Sequence, residues 1–253
     1  MKKLIKSIFS SAPKEKGDSS SNTQTISEWW DDYAQKHEKQ NQEQKLGEEW
    51  NEAELIGINV PDNQIVEYLD ETVFQPFLGK SEVLLEIGPG GGRFTEILLP
   101  KCEKLIAADT SQTMLRLLKK RFENETKINY LLLDGSGISS VKDETINLAF
   151  SYGVFVHLQH WDIYNYIAEL NRVLVPGGKA IIQHSNTFSD LGWKRFIKEV
   201  KPSLNKHKLA GTFSLMSTEI IEEFVKRAGL KLVETKTDTV KRDCISLIIK
   251  PNA

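Results

Sequence analysis

Seven short aliphatic runs separated by helical or glycine-rich stretches constrain this chain more than any other feature: Val83–Ile87, Leu105–Ala108, Ile128–Leu133, Ile146–Phe150, Ala180–Ile182, Lys231–Glu234 and Cys244–Ile249. The first five carry apolar residues on both faces, the pattern of strands covered on both sides. Helical spacing fills the intervals: Phe94–Leu99, then Met114, Leu115, Leu117, Leu118 and Phe122, then Ile163–Leu174, and finally Thr218–Ala228. Pro176-Gly177-Gly178 reads as the stop of the third of these. Strand–helix alternation predicts a doubly wound α/β fold around a mostly parallel sheet. The last two strands are joined by a short polar link, which permits an antiparallel pair but no parallel crossover. The expectation is a seven-stranded sheet with an antiparallel terminal strand.

The 253 residues leave room for one large domain and an appendage. Residues 1–24 are polar and Ser-rich and read as a disordered tail. Residues 25–78 read as a helical N-terminal cap. Ser27 is placed to cap a helix over 26–46, and Trp29, Trp30 and Tyr33 give that charged segment something to bury; Trp50 fits the same cap. A second helix from Pro61-Asp62 to Phe77 carries Ile65, Val66, Leu69 and Val73 on one face. Residues 79–253 form the α/β domain, in which 185–216 is too long for an ordinary connection and reads as a lid inserted after strand five. Its Lys194, Arg195, Lys198, Lys201, Lys206 and Lys208, with Trp193 and Phe196, suit either an acidic or sugar-like substrate or the solvated face of a surface helix.

A net charge of −2 supplies no basic field for a nucleic-acid backbone, so no nucleic-acid partner is expected. Cys102 and Cys244 stand far apart and in no metal spacing, which suits a reducing, cytoplasmic setting. Lys6 interrupts the apolar start of the chain, and no stretch reaches the ~20 residues that span a bilayer, so stable membrane insertion is not expected.

Between the first strand and its helix lies Glu86-Ile87-Gly88-Pro89-Gly90-Gly91-Gly92. Glycines here let a backbone approach a ligand at the carboxyl end of a strand. The dinucleotide fingerprint, started at Gly88, meets Arg93 at its third glycine position, which weighs against a nucleotide-dependent oxidoreductase or epimerase. The frame acid-x-Gly-x-Gly-x-Gly is filled completely by Glu86, Gly88, Gly90 and Gly92. Asp109 follows at the end of strand two, 21 residues past Gly88, where a carboxylate can accept from both ribose hydroxyls. Asp134-Gly135-Ser136 follows strand three, and Glu169-Leu170-Asn171-Arg172-Val173-Leu174-Val175-Pro176-Gly177-Gly178 precedes strand five. Each has a plain alternative: Asp109 as a helix cap alongside Thr110 and Ser111, Asp134 as a turn with Gly135, Pro-Gly-Gly as a helix stop.

The order of these motifs at successive strand ends resembles the class I, Rossmann-like S-adenosylmethionine-dependent methyltransferases, over roughly residues 82–184. The resemblance implies S-adenosyl-L-methionine as cofactor and S-adenosyl-L-homocysteine as product. It puts Glu86 and the Gly88–Gly90 backbone at the methionine end with the Ser151 backbone, Asp109 on the ribose, and Asp134 on the adenine amino group with Gly135 and Ser136 supporting the ring. Gly92, Thr110 and Tyr33 of the cap complete the cofactor set, and Met114 and Ile138 are either walls of the adenine slot or core.

After strand four comes Ser151-Tyr152-Gly153-Val154-Phe155-Val156-His157-Leu158-Gln159-His160-Trp161, beside the expected methyl position. His157 and His160 there, and His184 at the end of strand five, are candidate bases or substrate ligands. The alternative has His157 packed under the loop and His160 capping the next helix. No carboxylate cluster accompanies the three histidines, so no metal site is expected. The loop lacks the Asn/Asp-Pro-Pro-Tyr motif and the Pro-Cys dipeptide of enzymes that methylate nucleic-acid bases. The sequence therefore points to methyl transfer to a hydroxyl, less readily an amine, of a small metabolite such as a sugar or natural product. A non-catalytic scaffold or sensor that keeps the cofactor pocket is the rival reading.

Overall fold

The computed structural model describes residues 25–40, 57–206 and 213–252, the last six of the middle segment by backbone alone. The expected disordered tail, the continuation of the first helix past Gln40, Trp50 and Lys208 all lie outside the described residues, as do the side chains of Lys201 and Lys206.

Helix α1 (Ile26–Gln40) comes first. A 3-10 turn (Asp62–Gln64) leads into α2 (Ile65–Leu69), which passes through a π-helical turn (Asp70–Phe74) into α3 (Gln75–Leu78). The α/β portion then runs β1 (Ser81–Ile87), α4 (Thr95–Leu98), β2 (Cys102–Asp109), α5 (Gln112–Arg121), β3 (Ile128–Leu132), β4 (Ile146–Ser151), α6 (His160–Val173), β5 (Leu174–Ser185), α7 (Asp190–Lys206), α8 (Thr218–Arg227), β6 (Lys231–Lys236) and β7 (Asp243–Ile249). The seven strands form one sheet in the order β3-β2-β1-β4-β5-β7-β6. The pairs from β3 through β5 are all parallel. Strand β7 is antiparallel to both neighbours, pairing with β5 from Lys179↔Ile249 to Ser185↔Asp243. The antiparallel strand is thus the last in sequence but lies one place in from the edge, which β6 occupies.

Side chains along each strand alternate between two cores, as the pleat requires. Leu84, Leu148, Phe150, Ile181, Ile245 and Leu247 face one side, against Ile65, Leu69, Phe74, Leu98 and Leu118 of the helices there. Leu85, Ile87, Ala149, Ala180, Ile182 and Ile248 face the other, against Ile163, Ile167 and Leu170 of α6 and Ile221 and Val225 of α8. Burial of both faces explains why β1, β4 and β5 carry apolar residues on both parities.

The Pro-Gly-Gly stop needs correcting. Helix α6 ends at Val173, and Leu174 is already extended and paired with Ile146. Pro176-Gly177-Gly178 lies inside β5 as an irregularity, the register resuming at Leu148↔Lys179. Gly177 supplies a φ of +75° there, and its N–H donates to Lys250 O at 3.0 Å. Among the described residues, no helix is long and apolar enough to cross a membrane.

Candidate active site

The chain order reverses across the sheet between β1 and β4, since β2 lies on one side of β1 and β4 on the other. Such a switch point opens a crevice outside the carboxyl ends of the strands. A cavity of about 250 Å³ occupies it, lined from the strand ends by Glu86–Gly91, Ala108–Thr110, Tyr152–Val154 and Gln183, and from above by Ile26, Ser27, Trp30 and Tyr33 of α1.

The glycine loop divides by position. Gly88 has φ +69°, and a Cβ there would run into the Val154 side chain. Gly90 has φ +54° and only open space where a Cβ would stand. Gly92, with φ +87°, does not line the cavity; a Cβ would meet Leu118 Cδ1 at 2.5 Å and Phe122 Cε2 at 2.6 Å. Its place in the motif comes from close approach of the loop to α5, not from the cavity wall.

Two buried carboxyls sit in this wall. Glu86 accepts from Thr95 Oγ1 at 2.7 Å. Burial pushes its pKa up to about 7, Thr95 opposing and the charge of Asp109 adding to the rise. Asp109 accepts from Ser111 N at 2.9 Å and more weakly from Gly90 N at 3.4 Å. Burial pushes it up to about 6 against those donors. Asp109 does not cap α5: that role falls to Ser111, whose Oγ accepts from Met114 N at 3.1 Å.

Helix α1 is fastened over this corner. Ser27 Oγ donates to Thr110 O at 2.6 Å, and Asp31 Oδ1 accepts from Ser111 Oγ at 2.6 Å and Thr113 N at 2.8 Å. Burial favours the neutral form of Asp31, but donors from Ser111, Thr113 and Gln35 together hold its pKa below the usual carboxylate value. Trp30 meets His157 edge to face at 5.3 Å, so the cap and the loop after β4 touch across the cavity.

Of the remaining expected residues, Thr110, Met114, Gly135 and His157 line the cavity. Asp134 and Ser136 do not: Asp134 is exposed and spends its carboxylate on Ser136 N (2.8 Å) and Oγ (2.6 Å) in a local turn, with Leu133 and Gly135 reaching the wall instead. Ile138 is core. Ser151 is buried behind the wall, its Oγ donating to Ile87 O at 3.0 Å, and Tyr152 and Gly153 take its place. His160 opens α6 away from the cavity, and Gln159, not His160, is the N-cap residue.

His184 is a core histidine. It shares the parity of Ala180 and Ile182, so it points to the face opposite Gln183, which lines the cavity. Its Nδ1 lies 3.0 Å from Ser185 O, and a carbonyl only accepts, so Nδ1 carries the proton and Nε2 accepts from Ser246 Oγ at 2.9 Å. Burial pushes its pKa down to about 4.

Arg195, named in the sequence reading as part of the lid, lines the cavity; the reading missed Gln183, Arg93 and Arg242, which join the lining with Tyr152 and Phe213. Strand parity was the available signal for Gln183. Arg93 carries no sequence signal beyond the broken fingerprint position, and Arg242 lies on a link that carries no motif. Among the described residues, no group of three His, Cys, Asp or Glu is gathered to hold a metal ion.

Residues 85–182 match the family model described as a methyltransferase domain. Residues 85–182 thus carry a methyltransferase domain, on a Rossmann-like fold. Over 86 residues it is 35% identical to a probable ribosomal RNA small subunit methyltransferase A of Methanosarcina barkeri, covering 33% of this chain and 30% of that protein. Over 165 residues it is 28% identical to a malonyl-[acyl-carrier protein] O-methyltransferase of a Paenibacillus species, covering 62% of this chain and 58% of that one. The chain thus spans less than two thirds of the length of either curated relative. A crystal structure of a SAM-dependent methyltransferase from Aquifex aeolicus superposes with a TM-score of 0.56 at 16% identity, over 78% of this chain and 97% of that one, and shares the fold.

The methyltransferase domain's cofactor is S-adenosylmethionine, and the cavity fits it on chemical grounds. Asp109 offers acceptor oxygens at the end of β2, the Gly90 position leaves open space, and the acidic groups Glu86, Asp109 and Asp162 suit a cationic ligand. The raised carboxyls also make a stability prediction. A carboxyl with a raised folded-state pKa contributes stability that is present below its unfolded pKa and is lost as pH rises through the folded value. For Glu86 that window runs from 4.5 to about 7, amounting to roughly 3 kcal/mol at 1.36 per unit. Glu86→Gln will therefore raise Tm over wild type more at pH 8 than at pH 4.5, read by thermal denaturation; a pH-independent difference refutes the assignment.

Proposed function

We propose that the chain transfers a methyl group from S-adenosylmethionine to a hydroxyl of a small acceptor, with an amine as the less favoured target. The observation that carries this reading is that His157 lines the same cavity as Glu86 and Asp109, on the loop after β4. When bound, the cofactor supplies an electrophilic methyl group on a positively charged sulfur. Asp109 holds the ribose hydroxyls, Glu86 and the Gly88–Gly90 loop hold the methionine end, and Met114 and Leu133 pack the base. His157 Nδ1 or Nε2 takes the acceptor hydroxyl's proton. Trp30, edge to face with that ring, holds its orientation and with Tyr33 keeps water out. In this reading residues 25–78 act as a cap, 185–216 as a lid, and the protein works in the cytoplasm, in keeping with its two free, buried cysteines.

A small acceptor is favoured over nucleic acid by the concave cavity at the strand ends and the net charge of −2. The experiment is release of S-adenosylhomocysteine from S-adenosylmethionine across a set of hydroxylated and amino metabolites. His157→Ala will lower turnover by about 10²-fold or more, with S-adenosylhomocysteine affinity within about twofold of wild type, while His160→Ala stays near wild type. Full turnover in His157→Ala would remove the base role.

A further inference from the structure

We infer that the outer face of α7, with the turn before it, is a docking surface for an anionic lipid membrane. This face is turned away from the proposed chemistry, and the inference does not rest on methyl transfer.

Helix α7 has two distinct faces. Leu191, Gly192, Arg195, Phe196 and Glu199 are buried or half-buried. That side is packed: a Cβ at Gly57 would stand 2.7 Å from Leu191 Cδ1, and Gly192 lies so close to the Asn186 carbonyl that no Cβ fits. Arg195 pairs with Glu199 at 2.5 Å and lines the cavity. Asp190, Trp193, Lys194, Ile197 and Lys198 are exposed. Spacings of three and four put them in one stripe along the helix. The start of the helix is tied down, Trp193 N donating to Ser189 O at 2.8 Å and Gly192 N to Ser189 Oγ at 3.0 Å, so the stripe keeps its outward aim.

The stripe combines apolar bulk with positive charge. Trp193 is 52% exposed, Ile197 51%, and Phe188, in the turn between β5 and α7, 78%. A single exposed apolar residue is ordinary, but three large ones gathered on one element mark an interaction surface. Lys194 and Lys198 lie among them and make no ion pair among the described residues. The sequence of α7 holds five basic residues against the two acids Asp190 and Glu199, a net of +3, in a chain whose net charge is −2. The helix thus opposes the sign of the whole, and a negative surface attracts it in preference to the rest.

Lipid suits this pattern better than a protein does. Tryptophan and phenylalanine settle at the boundary between headgroups and acyl chains, and lysine buries its methylenes there while its ammonium meets anionic headgroups. A membrane accepts side chains that protrude to different heights from a helix, with no groove to match. A second copy of this chain would set Lys194 and Lys198 against themselves across a two-fold axis. An apolar protein face would strand both ammonium groups. The helix lies on the membrane and does not cross it, being too polar to span. Because Arg195 of the same helix lines the cavity, docking sets the cavity wall about 10 Å, one helix diameter, from the lipid.

The test is co-sedimentation of the full chain with vesicles of phosphatidylcholine alone, or with about 30% phosphatidylglycerol, at about 0.15 M salt. The anionic vesicles will bind at least about tenfold more tightly than the neutral ones. Lys194→Glu with Lys198→Glu will lower that binding at least about tenfold, and Phe188→Ser with Trp193→Ser will lower it severalfold. All four side chains are exposed, so the fold tolerates these changes, and an unchanged Tm verifies it. Equal binding to both vesicles, no binding to either, or anionic binding that survives the lysine reversal overturns the inference. Loss on lysine reversal with no effect of Phe188→Ser and Trp193→Ser overturns it too, because attraction without apolar burial fits an acidic protein surface instead.

Discussion

Asp109→Ala will weaken S-adenosylhomocysteine binding by about ten- to a hundredfold, measured by calorimetric titration, while the protein stays folded. The size follows from removing a charged acceptor of two hydroxyls, worth about 1.5–3 kcal/mol, with tenfold in affinity for each 1.4 kcal/mol. The fold survives because the carboxylate is a burden to the empty protein. Burial pushes its pKa to about 6, so at neutral pH the folded state carries a charge it disfavours. Alanine removes that strain, partly offset by the lost acceptor for Ser111 N. Binding and stability should therefore move in opposite directions. If both fall together, Asp109 is a structural cap and not a ribose ligand.

The second large effect separates three glycines of one motif. Gly92→Ala will destabilise the fold by about 2–4 kcal/mol, in the range of overpacking plus a disfavoured φ, because its Cβ meets Leu118 and Phe122 and φ is +87°. Gly90→Ala will cost about 1 kcal/mol for its φ, yet lose S-adenosylhomocysteine binding, because the added methyl enters the space left for the ligand. Gly88→Ala will lose both, since Val154 occupies the position and lines the same cavity. Denaturant melts and binding isotherms on the three variants give the pattern. A Gly90→Ala protein with wild-type affinity would mean that the ligand does not approach the loop.

The fold was legible because burial on both faces leaves apolar residues on both parities of a strand, and such runs appear as β1, β2, β4 and β5. The short β6–β7 link was enough to foresee an antiparallel pair, but not that β7 would slide between β5 and β6. That placement depends on seven residue pairs between β5 and β7, which no local pattern encodes. Glu86, Gly88, Gly90 and Asp109 reach the cavity because they lie at or just past the carboxyl ends of β1 and β2, beside the switch point. Asp134 and Ser136 were misplaced because an Asp-Gly-Ser segment bonds to itself as readily as to a ligand. His184 was misplaced by one residue of strand parity, enough to send it through the sheet to Ser246. Arg93, Arg195 and Arg242 reach the cavity from α4's approach, α7 and the β6–β7 link, segments brought together only by the sheet order.

The fastening of α1 has a kinetic corollary. Ser111 gives its hydroxyl proton to Asp31, lends its oxygen to Met114 N and its own N–H to Asp109. Lifting α1 would therefore slacken the turn that aims Asp109, coupling the proposed cap to the proposed ribose ligand. If the proposed function holds, nucleoside exchange is expected to follow the breaking of this one set of hydrogen bonds. The expected result is a steady-state turnover that falls with solvent viscosity, and an Asp31→Asn variant that exchanges the nucleoside faster and holds it for less time.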